Sequence, residues 1–174
     1  MIYRCIGIRS YRHSIGPKRY PVGIVIHHTA SGPLAGNRLV DMAFINTMHK
    51  SRHFHPVLGY DGKKYFIAYH YVILQDGTIQ HGRPEYLPGA HTKGHPNMLG
   101  IVLVGDFDSR SNHGLYGPLI PPPAQLASAE RLTKYLMRKY HLSVSNVYLH
   151  RDLRPTACPG NCFPRSEFYR GISQ

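Results

Sequence analysis

The sequence predicts an α/β fold: a single domain with a central mixed β-sheet flanked by helices. Three observations carry this. Short continuous apolar runs rich in β-branched residues recur along the chain, as buried strands do. Segments with helical spacing alternate with them. One run meets an Asp-Gly turn that folds the chain back on itself, so a largely parallel pattern gains an antiparallel hairpin. With 174 residues, 42% of them apolar, the chain is long enough to bury one core.

Residues 1–20 are polar and basic, are broken at Gly16-Pro17, and read as an arm leading into a domain spanning 21–174. Val22 to Thr29 is the first predicted strand, ended by Ser31-Gly32-Pro33. Leu39, Met42, Ala43, Ile45 and Met48 recur at helical spacing and predict an amphipathic helix over 36–50. Leu58 to Gly62 is turn material. Tyr65 to Leu74 reads as a strand, Gln75-Asp-Gly-Thr78 as a tight turn, and Thr78 to Gly82 as the returning strand. Leu99 to Val104 predicts a central strand. A helix begins at Pro121-Pro-Pro-Ala, because proline suits a first turn, and Leu126, Ala129, Leu132, Leu136 and Tyr140 continue it. Val147 to His150 is the last predicted strand.

Composition narrows the function. The formal net charge is +12 and the pI about 9.8, which implies an anionic partner. The basic residues are scattered in small groups, such as Lys18-Arg19 and Lys63-Lys64, and Trp is absent. No specific nucleic-acid binding is expected, which leaves an acidic polymer or a membrane surface as the anionic partner. No window approaches a membrane span, and the stretch before Arg9 and Arg12 does not read as a signal peptide. The expectation is therefore cytoplasmic synthesis. Three cysteines are too few and too odd for a disulfide framework. Cys5 and Cys162 are left as free thiols or one bridge.

His27 closes the run Gly23-Ile-Val-Ile-His27-His28-Thr29, and His150 and Cys158 lie in Tyr148-Leu-His-Arg-Asp-Leu-Arg-Pro-Thr-Ala-Cys-Pro-Gly160. Two imidazoles and a thiolate form a zinc set one ligand short of a closed tetrahedron, which is the catalytic arrangement. His27 and His150 each end a predicted strand, where loops of an α/β sheet converge. His28 points to the opposite face of its strand and is not expected to reach the same ion. Taken singly, each residue is unremarkable in a chain with thirteen histidines. His150-Arg-Asp-Leu also matches a kinase catalytic loop, but that loop's Asn position holds Ala157 and no Gly-rich phosphate loop precedes it.

Four segments together resemble a known family. They are Ile24-Val-Ile-His-His-Thr-Ala30, Tyr69-His-Tyr-Val-Ile-Leu-Gln-Asp-Gly-Thr-Ile-Gln-His-Gly-Arg83, Gly89-Ala-His-Thr-Lys-Gly-His-Pro-Asn97 running on through Leu99 to Asp108, and His150 to Gly160. In this order they are similar to the zinc-dependent N-acetylmuramoyl-L-alanine amidase superfamily, which includes phage lysozyme-amidases and peptidoglycan recognition proteins. The resemblance covers residues 22–164. It implies the amidase-like fold, one Zn2+ ion, and His27, His150 and Cys158 as its ligands. It places Tyr69 beside the activated water. It sets Thr156 where phage amidases carry lysine and many recognition proteins carry threonine, so both are candidate catalytic donors to a developing oxyanion. It assigns His91 and Asn97 to the substrate groove. A glutamate that some relatives carry near Val102 is absent. Asp152 is a candidate acceptor for the second nitrogen of His150, or a turn cap. Cys162, four residues beyond Cys158, is not among the family's ligands.

The implied activity is hydrolysis of the amide between the lactyl group of N-acetylmuramic acid and L-alanine of the stem peptide, with peptidoglycan as partner. The implied setting is a monomeric phage endolysin that reaches the wall after holin-type release. The alternatives are a cytosolic wall-recycling amidase and a recognition module that binds peptidoglycan without cutting it. The latter typically lacks a metal ligand, whereas all three are present here.

Overall fold

The structure is a computed structural model that describes residues 20–174. The expected arm, save Tyr20, and Cys5 lie outside the described residues. In chain order the elements are β1 (Gly23–His28), β2 (Leu34–Ala35), β3 (Arg38–Leu39), α1 (Met42–Ser51), β4 (Val57–Leu58), β5 (Lys64–Tyr65), β6 (Tyr71–Ile73), β7 (Ile79–His81), β8 (Met98–Leu103), α2 (Ser109–Asn112), α3 (Pro123–Tyr140), a 3-10 turn (Val144–Asn146), β9 (Val147–Leu149), α4 (His150–Leu153) and α5 (Arg165–Ser173).

Five strands form the central sheet in the order β7-β6-β8-β1-β9. β1 pairs in parallel with β8 and β9, β6 pairs in parallel with β8, and β7 runs antiparallel to β6. The sheet is mixed, as expected, and the antiparallel pair is the hairpin at Asp76-Gly77, where Gly77 takes φ +87°. All four parallel strands end on the same edge. His27, opposite Val102, is one residue from the end of β1.

Alternation along the strands builds two cores. Ile24, Ile26, Ile101 and Leu103 pack against Leu126, Ala129, Leu132 and Leu136 of α3 and against Phe168 and Ile172 of α5. On the other face Val72, Val102 and Val104 pack with Ile45 of α1, Val40 and Ile67. His27 shares the face of its neighbour Val102, the α1 side. His28 points to the α3 side, with its ring 6.0 Å from that of Phe107.

Where the elements depart from expectation, side chains explain it. The helix expected over 36–50 starts at Met42, because Asp41 caps it by accepting from Phe44 N at 2.8 Å. Residues 34–39 close into a two-stranded ribbon instead. The strand expected over 65–74 is interrupted. The amides of Phe66 and Ile67 both donate to Asn46 Oδ1 at 2.9 Å, and that of Ala68 donates to His49 Nδ1 at 3.1 Å, so α1 replaces the ladder until Tyr71. The last strand stops at Leu149, and His150 begins the short α4. Gln125, buried on the apolar side of α3, donates to the carbonyls of Ile73 and Val104 and ties that helix to two strand ends. No helix among the described residues is long and apolar enough to cross a membrane.

Candidate metal centre

His27, from β1, and His150, from α4, lie side by side with ring centroids 4.5 Å apart. His27 Nδ1 is 3.7 Å from Cys158 Sγ. One ligand atom from each of His27, His150 and Cys158 falls within 4.8 Å of the other two. The loop after α4 brings the sulfur there. Arg151 N donates to the Cys158 carbonyl at 3.0 Å, and Cys162 N donates to the Phe107 carbonyl at 2.9 Å. Gly160 passes so close to Phe107 that a Cβ there would sit 2.2 Å from backbone atoms. The amide of His28 donates to Cys158 Sγ at 3.4 Å, a contact that favours the thiolate. Cys162 is also a free cysteine. It is not part of the three-residue group, and its thiol donates to Asn161 Oδ1 at 3.4 Å.

Burial sets the protonation states. His27 is 1% exposed, and burial, reinforced by the neighbouring His91 and His150, holds its pKa well below the ordinary imidazole value. Burial also lowers His150, with Arg154 adding to it. Both rings are thus neutral and able to offer a lone pair to a cation. Burial pushes the Cys158 thiol up to about 12, against the pull of the His28 amide. The sulfur therefore keeps its proton until a cation displaces it.

Tyr69 joins the group, its ring 5.2 Å from that of His27 and 5.7 Å from that of His49. Burial raises its phenol above the ordinary tyrosine value, so it keeps its proton at neutral pH. Thr156 is exposed on the approach to Cys158, and its Oγ1 accepts from Cys158 N at 3.3 Å. Val102 is fully buried beside His27, and the strand offers no carboxylate there.

The remaining expected residues lie around this group. His91 is 8% exposed, with Nδ1 3.0 Å from His27 Nε2 and Nε2 3.0 Å from the Met98 carbonyl. Asn97 is exposed and lies five residues before Val102, about 16 Å from the His27 level along the strand. Of the two roles open to Asp152, its hydrogen bonds are those of the turn cap. Its Oδ2 accepts from Leu149 N at 2.9 Å and its Oδ1 from Arg165 Nη1 at 2.6 Å, so it caps the turn of α4. The sequence reading missed His49, which holds the segment leading to Tyr69. Its only signal was a histidine on the inner side of α1.

The model of the N-acetylmuramoyl-L-alanine amidase family matches residues 17–161. The endolysin of Enterobacteria phage T3 is 37% identical over 94 residues, which are 53% of this chain and 58% of that protein. Peptidoglycan-recognition protein LB of Drosophila melanogaster is 30% identical over 155 residues, 87% of this chain and 59% of the other. This chain thus spans little more than half the length of these curated relatives. Among solved structures, the N-acetylmuramoyl-L-alanine amidase LysC from Clostridium intestinale URNW superposes with a TM-score of 0.66 at 33% identity, covering 89% of this chain and 87% of LysC. A family match over most of the described chain, on the segments that assemble the His-His-Cys group, makes this protein a member of the N-acetylmuramoyl-L-alanine amidase family.

Proposed function

We propose that this protein is a zinc-dependent peptidoglycan hydrolase of the phage-endolysin kind. It cuts the amide between the lactyl group of N-acetylmuramic acid and L-alanine of the stem peptide, with residues 21–174 as the catalytic domain. One observation carries the reading: two neutral imidazoles and a thiol converge at the sheet edge where four parallel strands end. The donors fit zinc. Two ligand atoms each roughly 2.0–2.3 Å from a tetrahedral ion lie about 3.5 Å apart, close to the 3.7 Å between His27 Nδ1 and Cys158 Sγ. Three ligands rather than four leave a position for water or substrate. When bound, zinc supplies Lewis acidity, polarising a carbonyl and bringing the pKa of water towards about 7.

The chain's own residues do the rest. Cys158 would hold the ion as a thiolate, which the His28 amide, 3.4 Å from the sulfur, is placed to support. His27 and His150 stay neutral. Tyr69, held protonated by burial, directs its hydroxyl towards the reacting atoms and stabilises the negative charge that develops on the amide oxygen. Thr156 stands at the exposed rim as a second, neutral donor. The full chain's net charge of +12 draws the protein to anionic envelope polymers around its substrate, and it acts as a monomer on the wall after holin-type release from the cytoplasm.

Mass spectrometry of sacculi digested with and without a zinc chelator tests this. The expected products are a free lactyl carboxyl and a new alanine amine, both lost on chelation and restored by zinc. Wall binding without release of muropeptides would overturn the reading. Tyr69→Phe is expected to lower kcat on the order of a hundredfold, the usual cost of one oxyanion donor. KM and zinc content should be nearly unchanged, and a kcat within threefold of the parent would remove Tyr69 from the reaction.

A further inference from the structure

Behind His27, on the side away from Cys158, lies an imidazole with no evident part in the chemistry. His91 occupies a slot between two glycines. A Cβ on Gly100 would come 2.4 Å from the ring and one on Gly89 would come 2.6 Å from it, so the slot admits a flat ring and little else. His70 fixes the slot's wall, its Nδ1 accepting from Gly100 N at 2.9 Å and its Nε2 donating to the Leu87 carbonyl at 3.1 Å.

The bonds define which nitrogens carry hydrogen. His91 Nε2 is 3.0 Å from the Met98 carbonyl, which can only accept, so Nε2 carries the hydrogen and Nδ1 of the neutral ring carries a lone pair. His27 Nε2 lies 3.0 Å from that lone pair and must donate to it. The hydrogen of His27 is thereby placed on Nε2, and its own lone pair is left on Nδ1, the nitrogen that faces Cys158 Sγ. Thr92 Oγ1 is 3.0 Å from His91 Nδ1 but 3.5 Å from His27 Nε2, too long to be the partner that orients His27.

We propose that His91 is a positioning residue that locks His27 into the tautomer with its lone pair on Nδ1, so that the first metal ligand is set before any ion arrives. Its metal consequence rests on the zinc reading above; the tautomer itself does not. Metal-binding histidines usually lean on a carboxylate or a carbonyl through their second nitrogen. Here the carbonyl of Met98 acts one ring removed, through His91.

The test combines two measurements. Nitrogen-15 NMR of the metal-free protein reads the His27 tautomer directly, and competition with a chromophoric chelator reads zinc affinity. In the unsubstituted protein His27 Nε2 should be protonated and Nδ1 not. His91→Phe fits the flat slot without offering an acceptor. It should give a mixture of His27 tautomers and a zinc affinity lower by about 10- to 100-fold, the usual cost of losing such a partner. His91→Asn keeps an acceptor near the Nδ1 position and should restore the tautomer and most of the affinity, and Thr92→Val should leave both unchanged. A parent protein with the hydrogen on Nδ1, an unaltered tautomer in His91→Phe, or a Thr92→Val variant that reproduces the loss would overturn the proposal. Failure of the parent to bind zinc with the tautomer in place would overturn the metal reading alone and support the lock.

Discussion

Stripped of metal, the domain is expected to unfold cooperatively as the pH falls from about 6.5 to 4 and to take up several protons in doing so. Besides His27, whose pKa burial holds well below the ordinary value, the protons go to His28, His49 and His91, which are 7%, 6% and 8% exposed. Burial depresses all three. His28 falls to about 4 despite the opposing pull of Asp106, His49 to about 4, and His91 to about 3. Each also has a nitrogen that must stay unprotonated to accept a bond. His28 Nδ1 accepts from Phe107 N at 3.2 Å, His49 Nδ1 from Ala68 N at 3.1 Å, and His91 Nδ1 from His27. The direction follows from linkage. Between the folded and unfolded pKa values the unfolded chain binds more protons, so stability falls as pH falls, beginning near 6.5 where free imidazole titrates. The shifts are worth roughly 3 kcal/mol each for His28 and His49 and roughly 5 kcal/mol for His91. Together they are comparable to the 5–15 kcal/mol that holds a typical domain together. Circular dichroism against pH in chelator, with proton uptake measured alongside, checks this. A fold that survives to pH 3, or a transition without proton uptake, would show that these rings are not held neutral. Zinc should shift the midpoint to lower pH, because it binds only the folded state.

The histidines also show what the sequence could and could not convey. β1 and β8 were readable because a strand covered on both faces is apolar along nearly its whole length, as Ile24 to Ile26 and, but for Gly100, Leu99 to Val104 are. α3 was readable because it packs one face along 18 residues. α4, with four residues, is too short to show a period, and its start is fixed by a carboxylate–amide bond from Asp152 to Leu149 that spacing alone does not distinguish from support for His150. The interruption before β6 was hidden for the same reason: Tyr65 to Leu74 has a strand's composition, and only the folded position of Asn46 and His49 shows that a helix takes its amides.

The metal group was legible for a different cause. Its residues carry chemistry that few other residues provide, and the segments around them resemble those of a known family. The structure brings the expected His27, His150 and Cys158 together and sets Tyr69 beside them. It sets His91 at the back of His27, where a glycine at position 100 opens room for an imidazole over the sheet. That glycine interrupts the apolar run of β8, and a residue with no side chain inside a buried strand is the one sign in the sequence that something large lies against it.

Cys158→Ser is expected to abolish hydrolysis, by on the order of a thousandfold or more, through loss of the ion whose Lewis acidity the reaction needs. Burial pushes the thiol up to about 12, while His27 and His150 are lowered, so across pH 7–9 the free site holds one proton that the loaded site does not. Loading therefore releases one proton per ion, and zinc affinity should rise about tenfold per pH unit over that range. The sign is fixed by which state is protonated. Raising the pH weakens the proton as a competitor, and the gain ends only above the free thiol's pKa. A serine hydroxyl keeps its proton throughout, so the variant should lose both the affinity and its slope. Chelator competition at three pH values, with proton release followed in weak buffer, measures each. An affinity flat with pH in the parent protein, or a Cys158→Ser variant that binds zinc as tightly, would mean that the sulfur is not a ligand. Because Cys158 and the His28 amide are only 3.4 Å apart, the variant's fold should first be compared with the parent's in chelator, where neither holds metal and the two should unfold alike.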